Sequence, residues 1–159
     1  MSATEWVEQI LALPDPASRR RLVEEHASAL NDDVANRLKE QADRFLESEV
    51  HRSLEIAELL LLAAELTNNP LYSALGLLAE ANARSIGGLG EYGRAIEPYE
   101  QAAEIYLDQG DLVNGAKAQV GKVFCDVVLK FGGNAMTHFA RFFDGFVGGV
   151  HGQDCPRNS

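Results

Sequence analysis

The sequence predicts an all-α protein: antiparallel helix pairs stacked into a right-handed superhelix, an α-solenoid of about seven to eight helices. Three observations predict this. Apolar residues recur at three- and four-residue spacing through most of the chain before residue 131, and strand-type alternation is nowhere sustained. Short turn signals separate the periodic segments. Similar stretches return 42 positions apart: Ser53-Leu54-Glu55-Ile56-Ala57 resembles Ala95-Ile96-Glu97-Pro98-Tyr99, and Leu89-Gly90 finds an echo in Phe131-Gly132.

Each element has a local reason. Thr4 is a candidate cap for a first helix carrying Trp6, Val7, Ile10 and Leu11. Pro14-Asp15-Pro16 ends that helix and opens the next, with Asp15 as cap and Pro16 at the first helical position, running to about Leu30. Asn31-Asp32-Asp33 stops it and caps a third helix bearing Val34, Leu38, Ala42, Phe45 and Leu46. The fourth, roughly Arg52 to Leu66, is apolar on more than one face and so is expected to pack on two sides. Thr67-Asn68-Asn69-Pro70 punctuates; further helices follow over Leu71 to Ile86, Glu91 to Leu107 and Leu112 to Lys130. Pro98 stands inside the sixth helix, and with Gly93 close by a bend is expected there.

Composition narrows the function. The 159 residues are 46% hydrophobic and 24% charged, which is globular, and the formal net charge is −10. An acidic surface repels phosphate backbones and anionic headgroups, so neither nucleic acid nor a membrane is an expected partner. Arg19-Arg20-Arg21 is followed at once by Glu24 and Glu25 and reads as an ion-paired helix face. No basic start or apolar run resembling a secretory signal opens the chain, and the two cysteines, Cys125 and Cys155, form no disulfide framework. A cytoplasmic location is the expectation.

Gly88, Gly90 and Gly93 spell the G-x-G-x-x-G of a dinucleotide loop. That loop requires a preceding strand, whereas LGLLAEANARSI is helix-periodic, so nucleotide binding is set aside. His26, His51, His138 and His151 sit in no nucleophile or zinc spacing, and Cys125 reads as a small buried residue. No catalytic residue, cofactor or metal is expected; the protein is not expected to be an enzyme.

Gly90, Tyr92, Ala95, Tyr99 and Ala102 fill the places of the tetratricopeptide repeat, which asks for G-x-Y-x-x-A, an aromatic four residues on and Ala three after that. Small residues at 95 and 102 let paired helices approach, and the tyrosines fill gaps between repeats. Ala83 and Cys125 match the small position of the preceding and following helices; Ala79 departs from the large one, which Phe124 fills. The 42-residue spacing is longer than the common period of about 34 and resembles bacterial arrays found beside caspase-like protease or signalling domains. The resemblance implies a scaffold that binds a peptide or helix of another protein in a concave groove. It places Leu77, Glu80, Arg84, Gln119, Lys122 and Asp126 on that groove, a mixed-charge set unlike the lysines and asparagines of chaperone-tail binders.

The organisation expected is a helical lead-in over 1–32, repeat-like hairpins over 33–147 and a flexible tail over 148–159. Beyond Gly133 the composition changes, and Phe139, Phe142, Phe143, Phe146, Val147 and Val150 keep helical spacing. An amphipathic helix from about Asn134 to Val147 is expected to cap the last hairpin or, failing that, to join two chains as a homodimer. An alternative to the groove scaffold is an architectural piece of a larger array that self-associates through this aromatic segment.

Overall fold

The computed structural model describes residues 1–132 and Arg141. Seven α-helices occupy the described residues: α1 (Ala3–Ala12), α2 (Pro16–Glu25), α3 (Asp32–Phe45), α4 (Val50–Thr67), α5 (Pro70–Ser85), α6 (Tyr92–Asp108) and α7 (Leu112–Phe131). A 3-10 turn, Ala27–Ala29, joins α2 to α3, and no strand occurs among the described residues. The expected aromatic helix and the flexible tail lie outside the described residues.

Most helix starts follow their local chemistry. Asp15, Asn31, Asn69 and Asp111 each accept a backbone N–H of the first turn they precede. The first helix differs from expectation. Ser2, not Thr4, is its cap: Ser2 Oγ accepts from Glu5 N at 3.2 Å while Glu5 Oε2 accepts from Ser2 N at 2.7 Å. The S-x-x-E spacing satisfies two orphan amides at once, which Thr4 alone does not. Helix α2 also stops short of Leu30, because His26 leaves helical geometry at φ −119° and ψ 36°.

Consecutive helices pack against each other, α4 on α5, α5 on α6 and α6 on α7, and α3 also touches α5, as α5 touches α7. Helix α4 packs on α2, α3 and α5, burying Ser53, Ile56, Ala57, Leu59, Leu60, Leu62 and Ala63, as its many-sided apolar pattern requires. Two clusters make up the core. One joins Trp6, Ile10 and Val23 to Leu38, Ile56 and Leu60; the other gathers Tyr99, Tyr106 and Cys125 among the alanines of α5, α6 and α7.

The 42-residue period appears directly in the backbone. Helices α4 and α6 begin at Val50 and Tyr92, and α5 and α7 at Pro70 and Leu112, each pair 42 positions apart. Within this register, fully buried Leu60 stands where Ala102 stands, and Ala83 where Cys125 stands.

Helix α6 runs through Pro98 without a break, and the proline is buried. Its missing N–H removes the donor for the carbonyl of Arg94, an exposed residue beside which water can substitute. Gly93 lies in the first turn of α6, where an added Cβ meets nothing within 4 Å and φ is not positive. Gly93→Ala is therefore expected to raise stability by about 0.5–1 kcal/mol, read as a higher urea midpoint at unchanged slope. Gly90 differs: its φ of +67° makes the same substitution strained despite open space.

The N-terminal helices are tied on by a buried arginine. Arg19 is 6% exposed, pairs with Glu55 of α4 and donates from Nε to the Leu13 carbonyl at 2.9 Å. Arg19→Ala strands that carbonyl and leaves the partly buried Glu55 unpaired, so a loss of about 1–3 kcal/mol is expected in urea titrations.

Candidate functional site

Helix α5 touches α3 and α7 as well as its sequence neighbours α4 and α6. Four residues of α5, Ser73, Leu77, Glu80 and Arg84, recur at alternating four- and three-residue spacing and are all half-buried. Two of these are committed to each other: Arg84 Nε donates to Glu80 Oε1 at 2.9 Å, and Arg84 Nη1 to Glu91 Oε2 at 2.6 Å. Arg84 thus clips the end of α5 to the residue that precedes α6. Desolvation opposes the charge of Arg84, but its hydrogen bonds to Glu80 and Glu91 outweigh this and raise its pKa.

On α7, Lys122 Nζ donates to Glu100 Oε1 of α6 at 2.9 Å, a bond that raises the lysine pKa. Gln119 and Asp126 of α7 are exposed. Of the six residues expected on a groove, Glu80, Arg84 and Lys122 therefore hold intramolecular ion pairs, while Gln119 and Asp126 are open to solvent and Leu77 packs against the second core cluster.

The repeat-packing residues lie together around α6. Ala95, Tyr99 and Ala102 are buried, Tyr92 packs edge-on to Phe124 with ring centroids 5.9 Å apart, and Gly90 turns the chain between α5 and α6. Tyr99 is the hub. Its hydroxyl donates to Asn82 Oδ1 at 2.7 Å and lies 2.9 Å from Ser85 Oγ, which reaches the Ala81 carbonyl at 2.8 Å. Sequence reading missed Asn82, Ser85 and Gly121, which complete this hub. Their only local signal is small or polar character on a face otherwise made of Ala and Leu.

Burial pushes the Tyr99 hydroxyl to about 12, and does the same to Tyr72 and Tyr106. For Tyr72 the hydrogen bond it donates to Asp32 adds to the effect; for Tyr106 the charges of Asp111 and Asp43 do. These phenols stay neutral in the folded state above the pH at which they ionise in the unfolded chain. The associated stability is complete below about pH 10 and is lost progressively towards pH 12. Alkaline titration followed by circular dichroism is expected to show unfolding in that window. Burial likewise raises the Cys125 thiol to about 11, so thiolate chemistry is suppressed at neutral pH.

A second surface went unread in the sequence. Along α7, Val113, Ala116, Val120, Val123, Val127 and Phe131 repeat at three- and four-residue spacing on the side away from Cys125 and Ala118. Val113 is 66% exposed, Val123 51% and Phe131 65%, so this stripe faces solvent among the described residues. The signal was present in the valine spacing, but periodicity alone does not say which of two apolar faces finds a neighbour.

Among the described residues no group of three His, Cys, Asp or Glu side chains is placed to hold a metal ion. No helix among them is long and apolar enough to cross a membrane. Phe139, Phe142, Phe143 and Phe146 lie outside the described residues. Comparison of the chain with protein-family models, with curated proteins and with solved structures gives no match.

Proposed function

We propose that this protein is a non-enzymatic scaffold of the tetratricopeptide type, a right-handed superhelix of helix pairs that binds a peptide or helix of another protein. The observation that carries the reading is the contact of α5 with both α3 and α7, together with the half-buried row of polar and apolar side chains on α5. The Glu80–Arg84 pair on α5 and the Lys122–Glu100 pair between α7 and α6 restrain these side chains, so a partner meets a preformed surface and little side-chain freedom is lost on binding. Gln119 and Asp126 supply the uncommitted polar contacts, and the mixed charges suit a partner segment of mixed charge. The cytoplasm is the compartment proposed.

Glu80 and Lys122 are poor test positions, because reversing them breaks bonds inside the fold. The informative variant is Gln119→Glu with Asp126→Lys. Affinity capture from the native host with wild type and variant side by side is expected to give a partner that the variant loses at unchanged melting temperature. A partner held equally by both moves the binding surface elsewhere.

The exposed stripe on α7 favours a second reading, an architectural unit that associates with copies of itself. Light scattering across a concentration series separates the two: a strict monomer at every concentration removes the second.

A further inference from the structure

The N-terminal helices border an open cleft of about 370 Å³, lined by Val7, Glu8 and Leu11 of α1, by Arg37, Arg44 and Phe45 of α3, and by Arg52 near the start of α4. Its charge runs against the rest of the molecule. Three guanidinium groups face one carboxylate, in a chain whose net charge is −10. Lysine is absent from the lining, and Val7, Leu11 and Phe45 supply an apolar wall.

Two of the three arginines are not consumed by the fold. Neither Arg37 nor Arg44 forms an ion pair among the described residues. Arg52 is held in place: its Nη1 pairs with Glu49 at 3.6 Å, its Nη2 donates to the Leu11 carbonyl at 3.1 Å and its guanidinium lies 4.5 Å over the Phe45 ring. Yet its Nε is shielded from water and has no hydrogen-bond partner. Arg37 and Arg44, both exposed and without an ion pair, keep their N–H groups free for an acceptor that enters the cleft.

We propose that this cleft binds a small organic carboxylate with an apolar body. Arg37 and Arg44 fork onto the carboxylate oxygens, while Arg52 stays fixed against Leu11, Glu49 and Phe45. The apolar body lies against Val7, Leu11 and Phe45. Planar guanidinium groups match the two oxygens of a carboxylate, and the cleft volume suits a ligand of metabolite size. Glu8 on the lining and Glu49 paired with Arg52 leave the site one net positive charge, which favours ligands with an anionic group. The site is separate from the α5 and α7 surface proposed above and does not depend on it.

Calorimetric titration of the full chain with 3-phenylpropanoate tests this. Saturable binding is expected, with 3-phenylpropanamide at least about tenfold weaker because it lacks the charge. Arg37→Gln with Arg44→Gln is expected to weaken 3-phenylpropanoate at least about tenfold at unchanged melting temperature, since both residues are exposed. No saturable binding of the acid at millimolar concentration, equal binding of the amide, or an unaffected double variant overturns the proposal. A short peptide ending in a free leucine carboxylate is the remaining arm. If that peptide binds and the free acid does not, the carboxylate belongs to a chain terminus and the small-ligand assignment fails.

Discussion

Replacing Tyr99 with alanine is expected to lower the unfolding free energy by about 3–5 kcal/mol, the largest single effect in this protein. The ring is 2% exposed and sits within the second core cluster, between α5, α6 and α7. Its removal leaves a cavity that three helices border and that none can close alone. It also strips Asn82 of its donor and removes the hydroxyl beside Ser85 Oγ. Tyr99→Phe keeps the ring and loses the hydroxyl, so its expected loss is smaller, about 0.5–1.5 kcal/mol. Urea titrations of the two variants separate packing from hydrogen bonding. A Tyr99→Ala loss no larger than that of Tyr99→Phe shows that the ring is not the element that joins these helices.

Gly121→Ala is the second large effect, and its sign is the informative part. In an ordinary helix interior the change stabilises by about 1 kcal/mol. Here an added Cβ falls 2.5 Å from Cζ of Tyr99, a side chain fully enclosed by its neighbours. Overpacking of that kind is expected to destabilise by about 1–3 kcal/mol. The same substitution in a Tyr99→Leu background meets a smaller side chain and is expected to recover the ordinary helix gain. The difference between the two backgrounds measures the coupling of the pair. Equal effects in both would mean that the glycine serves some purpose other than making room for the ring.

The repeat register explains why these two residues belong together. Ala57 and Ala79 occupy the positions 42 residues before Tyr99 and Gly121. The α4–α5 pair thus carries two small side chains at the positions where the α6–α7 pair carries one large side chain and none. Placing the large residue in the first pair without a glycine opposite it reproduces the clash predicted for Gly121→Ala.

Much of the secondary structure was legible because its causes are local. The side chains of Asp15, Asn31, Asn69 and Asp111 reach only two or three residues to their helix starts, and the three- and four-residue apolar spacing of α3 and α4 reports which faces turn inward. Even the error at the first helix was local, since Ser2 and Thr4 are both competent caps and Glu5 decides between them through its bond to Ser2 N. The candidate groove was less legible. Helical spacing put Glu80, Arg84 and Lys122 on helix surfaces, but it could not reveal that Glu91 and Glu100 take up their charges from neighbouring segments.

The sequence by itself determined the all-α class, most helix boundaries and the 42-residue period, because caps, turns and periodicity act within a few residues or repeat visibly along the chain. Only the tertiary structure decided what meets across the helices. Arg19 finds Glu55 across 36 positions, Gly121 makes room for Tyr99, and residues of α1 and α3 close around Arg37, Arg44 and Arg52. Periodicity specifies that a helix has an apolar face; the identity of its neighbour depends on how the whole set of helices fills space.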